Sequence, residues 1–294
     1  MGVCINLFFM PYPVFASRRG FTLIELLVVI GIIGVLSTIA VVAVGSVREN
    51  ARLAPLLHYS MQLHSRLSTN CVGNWEFEED SGSAVYSACE EYTGTVYGAT
   101  RTSGVDDGMA LSFDGVDDYV DLGVIDVTAG GSGEENGFTI SAWFRADSWT
   151  NGIYRDGRII TKSFNHYDNG IYWMLSTIAV WDDTRLRFRL KTGGTTDVLI
   201  AESGNLLLDR WYFVVARYDG STMKLFLDGT QVGSMAKTGV VDKAGSVNVF
   251  IGNSSDLVRP WGGKIDMVRI YEEAMSLSAI QGMYLAEGGL ACRV

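Results

Sequence analysis

One stretch limits this chain more than any other: FTLIELLVVIGIIGVLSTIAVVAVGSV, Phe21 to Val47, whose only ionisable side chain is Glu25. A helix needs about 20 mostly apolar residues to cross the hydrocarbon of a bilayer, so this run is long enough to span. Arg18 and Arg19 stand directly before it. Basic residues beside a span stay on the cytoplasmic side, which puts the chain after the span outside. A secretory signal peptide fits less well, because its apolar core is about 7–15 residues long and ends at a small-residue cleavage site. Here the small residue, Gly20, precedes the apolar run. A carboxylate inside a bilayer costs on the order of 3 kcal/mol, so Glu25 calls for a function.

From Val47 to Leu67 the pattern turns amphipathic, with Leu53, Leu56, Leu57, Leu63 and Leu67 at helical spacings among polar residues. This reads as the same helix continuing into solvent, with a kink at Pro55, where a backbone donor is missing. His58 and His64 lie on this stretch without a third ligand nearby and read as surface histidines. After Asn70 the period changes to two. Short apolar, aromatic and β-branched runs such as FTISAWFRA, GIYWMLST, RLRFRLKT, WYFVVARYDG and KIDMVRIY recur between Gly, Asp and Asn. Many short strands with turn residues between them predict an antiparallel two-sheet sandwich or jelly roll. In Trp211–Tyr218 both alternating faces are apolar, as in a central strand covered on each side. Asp219-Gly220 and Asp228-Gly229 are hairpin signals, and LSAIQGMYLA at 277–286 reads as a short closing helix. The organisation is therefore a helix at 21–70 that spans the membrane over 21–47 and a mainly β domain at 71–294.

The chain carries 23 basic and 33 acidic side chains, a formal charge of −10. No nucleic acid is expected as a partner, since that needs a basic footprint. An acidic surface suits solvent outside the cell and divalent cations.

RRGFTLIELLVVIGIIG resembles the N-terminus of type IV pilins and pseudopilins over residues 18 to 45. The resemblance implies cleavage by a prepilin peptidase after Gly20, which makes residues 1–20 a leader, and N-methylation of Phe21. It also implies that Glu25 pairs with the free amino terminus of a neighbouring subunit in a fibre. A buried acid with a partner fixes register, whereas one without is strongly destabilising. The apolar run lacks the proline that family members often carry there. CVGNWEFEEDSG, LSFDGVDDYVDLG, FTISAWFRADSW, RWYFVVARYDGSTMKLFLDGTQVGS and GGKIDMVRIYEEAMSLSAIQGMY resemble, in order, the blocks of laminin-G-like, concanavalin A-like jelly rolls. That family implies two antiparallel sheets, carbohydrate or protein binding, and often one structural calcium.

Three groups of residues are candidates for chemistry. FDGVDDYVD holds Asp114, Asp117, Asp118 and Asp121, and acidic loops supply the six to eight oxygens that calcium takes. Asp114 and Asp117 are the expected ligands, and the family resemblance adds Asp266. The loops SWTNGIYRDG, SFNHYDNG and AVWDDT place Trp149, Tyr154, His166, Tyr167 and Trp181 beside amide and acid groups. A sugar needs that pairing of a flat apolar face with hydrogen-bond partners. Of the cysteines, Cys4 leaves with the leader, and three allow one disulfide and one spare thiol. Cys71 and Cys89 would meet if VGNWEFEE and AVYSA fold back on each other. Cys292 competes, because first and last strands of such sandwiches often adjoin.

A retaining glycosidase needs two carboxyl groups about 5 Å apart. Glu76, Glu78, Glu79 and Asp80 lack the required spacing, and the adjacent Glu272 and Glu273 point apart, so no catalytic residues and no enzyme are expected. The expected protein is a pilin-like subunit, held in the cytoplasmic membrane as a precursor and then built with other pilin subunits into an extracellular fibre. Its head is a lectin-like module for glycans or surface proteins. The alternatives are a pseudopilin of a secretion or DNA-uptake machine with a purely architectural head and, last, a membrane-tethered glycoside hydrolase.

Overall fold

The computed structural model describes residues 22–33, 70–89, 92–129, 137–150 and 154–289. Gly20, Phe21, Cys292 and the part of the expected helix beyond residue 33 lie outside them. The chain divides into two compact units, Met1–Pro55 and Leu56–Val294. In the first, residues 23–33 form helix α1. Thr22 accepts the Glu25 N–H on Oγ1, and Glu25 Oε2 accepts the Thr22 N–H at 2.9 Å. This reciprocal pair is a capping box, which satisfies two helix-end donors at once. No helix among the described residues is long and apolar enough to cross a membrane.

Among the described residues, the second unit holds sixteen strands and one α-helix. The strands begin with β1 (Cys71–Trp75), β2 (Ala84–Tyr86), β3 (Thr93–Tyr97), β4 (Thr100–Ser103), β5 (Met109–Asp114) and β6 (Tyr119–Asp121). Then come β7 (Phe138–Ala146), β8 (Arg158–Ser163), β9 (Ile171–Val180), β10 (Asp183–Thr192) and β11 (Thr195–Ile200). The series ends with β12 (Trp211–Tyr218), β13 (Thr222–Leu227), β14 (Thr230–Ala236), β15 (Val249–Ile251) and β16 (Gly262–Tyr271). Helix α2 (Leu277–Tyr284) follows β16. Sheet 1 runs β14-β13-β12-β7-β16-β5-β4, with β1 also paired to β16, and sheet 2 runs β11-β10-β9-β8-β15-β6-β3-β2. Every pairing is antiparallel. The expected two-sheet antiparallel sandwich is present, and the chain is mainly β.

Alternation along the strands sets the layers. Phe138, Ile140, Ala142 and Phe144 of β7 and Tyr212, Val214, Ala216 and Tyr218 of β12 face the core between the sheets, with Trp75, Phe113, Trp173 and Phe188. The Phe138 and Trp173 rings meet across the two sheets, 5.4 Å apart. Burying each such side chain stabilises by about 1.5–3 kcal/mol. The residues between, Trp143 of β7 and Phe213 and Val215 of β12, face the other way. They pack against Met275, Ile280, Met283 and Tyr284 in a second core. Helix α2 therefore covers the outer face of sheet 1, which is why Trp211–Tyr218 reads as apolar on both faces. Ser276 caps α2, accepting the Ala279 N–H.

The turns follow their residues. Asp228 and Gly229 join β13 to β14 with φ of 49° and 75°, the double positive φ of a two-residue primed turn. Cys71 and Cys89 form a disulfide, with Cα atoms 6.0 Å apart, tying β1 to the segment after β2.

Arg269 of β16 is 3 % exposed and donates to Glu287 at 2.8 Å and, through Nε, to Asn74 of β1. Glu287 also accepts from Trp143 Nε1 at 3.0 Å. One carboxylate thus ties the segment after α2 to sheet 1. Glu287→Ala would leave a buried guanidinium without this partner, at a cost of about 3–5 kcal/mol. Chemical denaturation should show that loss, and a variant as stable as the parent would remove the pair from the account.

Candidate functional site

Helix α2 covers β7 and β12 of sheet 1 from outside, and the centre of sheet 2 is covered as well, every residue of β8 being buried. On β10, Leu186, Phe188 and Leu190 point into the core, so Arg185, Arg187, Arg189 and Lys191 point outward. Opposite the three arginines on β9 stand Ile178, Ser176 and Met174, and Lys191 lies over the Tyr172 ring, 4.9 Å from its centre. Segments 164–170 and 253–261 attach to this face. Asp168 pairs with Arg189, the Asn169 carbonyl accepts from Lys191, and Arg259 Nε lies 3.2 Å from Asp156. His166 is tied to the second of these segments, because Asp256 accepts its backbone N–H at 2.9 Å and pairs with its Nδ1. Burial pushes the Asp256 carboxyl up, but the Ser254 hydroxyl and His166 outweigh it, leaving the group below the usual carboxylate range.

The five aromatic candidates do not form one platform. Trp149 packs against the core. Tyr154 and Trp181 are both exposed. Arg155 links their segments by donating to the Asp182 carbonyl at 2.9 Å. Trp181 is 95 % exposed at φ 55°. It is the first residue of the two-residue turn between β9 and β10, a position where tight hairpins take positive φ. The His166 and Tyr167 rings meet at a tilt with centres 4.0 Å apart, at the start of β9 rather than its end. Nine residue steps along β9 separate the two groups by about 30 Å. The sequence shows which rings flank the strands but not that β9 runs on to Val180.

The acidic candidates divide as well. Asp114, Asp117 and Asp118 bring carboxylate oxygens within 4.8 Å of one another. Asp114 and Asp117 are exposed, while Asp118 is buried and accepts the Asp114 backbone N–H at 2.8 Å. Burial pushes the Asp118 carboxyl up, and the charges of Asp114 and Asp117 add to the rise. A hard cation would relieve that repulsion, and three carboxylates supply part of the six to eight oxygens calcium takes. Asp121 is used otherwise, accepting from Asn248 and the Gly123 N–H.

Asp266 does not join this group. Asp114 pairs with Gly262, four residues along β16 from Asp266, which is roughly 13 Å at strand rise. The Asp266 carboxyl is 0 % exposed and accepts from Val105 N–H at 2.9 Å and Met267 N–H at 2.7 Å. It secures a loop and is not a ligand beside Asp114 and Asp117.

Residues 114–281, more than half of the chain, match the family described as the concanavalin A-like lectin/glucanases superfamily, and the chain belongs to it. Residues 15–41 match the prokaryotic N-terminal methylation motif. No curated protein matches the chain.

Among solved structures, domain 4 of AbnA, an extracellular arabinanase from Geobacillus stearothermophilus in complex with arabinotriose, is similar at 15 % identity. The match covers 73 % of this chain and 98 % of that one, with a TM-score of 0.55. The binding domain of Paraclostridial Mosquitocidal Protein 1 is similar at 16 % identity, covering 75 % and 53 %, with a TM-score of 0.57. The sialidase of Trypanosoma rangeli is similar at 14 % identity, covering 74 % and 33 %, with a TM-score of 0.51. The chain thus spans about half of the second and a third of the third. At these identities the likeness shows the fold alone.

Burial pushes the Asp266 carboxyl up to about 7 against its two backbone donors, and Glu78 adds to the rise. Its unfolded value is 3.8. The native state holds a proton that the unfolded chain releases, so stability from this group is full at low pH. It falls as pH rises from about 4 to 7 and is level above. The stability of the parent relative to Asp266→Asn should therefore drop by roughly 2–4 kcal/mol across that window. A difference that does not change with pH would contradict it.

Proposed function

We propose that this chain is a pilin-like subunit that displays a lectin-like binding module on an extracellular fibre. The observation that supports this reading is the joining of two matches in one chain, a methylation motif at 15–41 and a concanavalin A-like lectin/glucanase domain at 114–281. On this reading a prepilin peptidase cuts after Gly20, Phe21 is methylated, and the apolar run first anchors the precursor in the membrane. It then packs with other pilin subunits in the fibre. The head stays outside and binds glycans or surface proteins, its role being binding and not catalysis. AbnA domain 4 was solved with a bound arabinose oligosaccharide, which favours a sugar. Trp181 and Tyr154 form one contact surface and Tyr167 with His166 another. Asp114 and Asp117, joined by Asp118, hold one structural calcium.

Glu25 has two roles on this account: it caps its own helix and pairs with a neighbouring amino terminus. Glutamine also serves in a capping box, so Glu25→Gln keeps the first role and loses the second. Fibre incorporation, measured by shearing and immunoblotting, should fall in Glu25→Gln nearly as far as in Glu25→Val, with cleavage intact in both. Normal incorporation of the glutamine variant would leave Glu25 only its capping role.

The head is tested with a glycan array. Saturable binding should appear and weaken at least about tenfold in Trp181→Ala, the scale expected for losing one aromatic contact of about 1.4 kcal/mol. Chelator should lower both binding and the unfolding midpoint, since calcium that binds only the native state adds stability. Silence across the array would favour an architectural head, and a midpoint unmoved by chelator would remove the calcium.

A further inference from the structure

The arginines of sheet 2 are more numerous than the carboxylates that face them. Arg185, Arg187, Arg189 and Lys191 succeed one another on one face of β10, about 6.6 Å apart along the strand. Arg158 of β8 and Arg187 of β10 both pair with Ser176 of β9, so the two guanidiniums flank one position of that face. Both donate to a single carboxylate, Asp156, and Arg259 reaches the other oxygen of the same group at 3.2 Å. One negative charge thus serves three positive ones.

Burial makes that imbalance costly. Arg158 is 1 % exposed and Arg187 5 %, and taking a charge out of water costs several kcal/mol unless it is balanced. Burial pulls Arg158 down to about 9 and Arg187 to about 10. Asp156 opposes the fall, while the neighbouring guanidiniums, Arg189 and Arg259 among them, deepen it. Arg189 has Asp168 as a partner, but that carboxylate is 69 % exposed. Among the described residues Nε of Arg158 and of Arg189 meets no acceptor, nor do Asn253 Nδ2 and Ser255 Oγ, on the segment that carries Arg259, meet a partner. The cluster is not sealed, since 13 % of the Arg189 side chain and 26 % of the Arg259 side chain are exposed.

We propose that this face is an anion site that takes the carboxylate or sulfate of an acidic glycan. Arg259 and Arg189 are its outer donors, and buried Arg158 and Arg187 supply the field behind them. Guanidinium forks match planar oxyanions and form the stronger, charge-assisted class of hydrogen bond. The inference rests on the glycan-binding reading above and narrows it to acidic sugars. A nucleic acid is disfavoured because the cationic area is confined and the chain as a whole carries −10. A continuous polyphosphate would meet repulsion outside the patch, whereas single anionic groups on a sugar backbone need only one confined spot.

The test uses the full chain in a non-ionic detergent and three polymers: polygalacturonate for carboxylate, dextran sulfate for sulfate, and neutral dextran. At least one polyanion should bind, more weakly as salt is raised, with dextran silent, and the polymer that binds more tightly names the anion. Arg189→Ala combined with Arg259→Ala should weaken that binding at least about tenfold. Arg158 and Arg187 are left in place, because removing them would strip Asp156 of its buried partners. If the double variant unfolds, Arg259→Gln alone is measured, with a loss of about threefold or more expected for one partly exposed contact. Polyanions bound no better than dextran, variants equal to the parent, or an oligodeoxynucleotide bound more tightly than either glycan would each overturn the inference. Neutral sugars bound on the array without preference for acidic ones would sink the anion site and leave the lectin reading standing, whereas silence on the array and with all polymers would sink both.

Discussion

The covering of sheet 1 on both sides constrains everything else in the β unit. Its inner residues meet sheet 2, while Trp143, Phe213 and Val215 on its other face meet α2. The chain after α2 is then held by Glu287, which accepts from both Trp143 and Arg269. The middle of sheet 1 therefore offers no surface to a ligand, and large exposed rings stand instead on the loops around sheet 2, at Tyr154, Tyr167 and Trp181.

The outer face of sheet 2 is polar for a physical reason visible in β10. Leu186, Phe188 and Leu190 fill the core from every second position, so the alternate positions are free to be Arg187, Arg189 and Lys191. Segment 164–170 is held to the face by the Asp168–Arg189 ion pair, and segment 253–261 by that of its own Arg259 with Asp156. The exposed rings Tyr167 and Trp181 stand at opposite ends of β9, with the arginines between. Aromatic surfaces and cationic donors spread along one face suit an extended ligand better than a single small ring.

Much of this was legible in the sequence. Alternation in FTISAWFRA and WYFVVARY gives both the strands and the double burial of sheet 1, and Asp228-Gly229 gives a turn. The Cys71–Cys89 bond follows from β1 and the segment after β2 folding back, with Cys292 as a competitor that spacing alone does not remove. Asp266 misleads because strand register is not written in the sequence. Only the pairing of Asp114 with Gly262 shows it to be far along β16. Asp118 is not among the expected ligands, since in strand spacing it points to the face opposite Asp117, whereas the chain after Gly115 turns and brings the oxygens together. The arginine cluster was missed for a related reason. RLRFRLK reads as a solvated face until Arg158, Asp156 and Arg259 arrive from other parts of the chain.

At the other end, Thr22 and Glu25 show how one short motif serves two demands. The same carboxylate that sits in a membrane-length apolar run also closes the first turn of its own helix. On the proposed reading, a helix start with its donors satisfied leaves a membrane for a fibre without exposing new polar backbone. The central claim, a binding head carried by a pilin-like end, is tested most directly by mass spectrometry of the N-terminal peptide of protein sheared from the cell surface. The account predicts a chain that begins at Phe21 with a methylated amine. A chain that begins elsewhere, or one recovered only as uncut precursor in membranes, would contradict it.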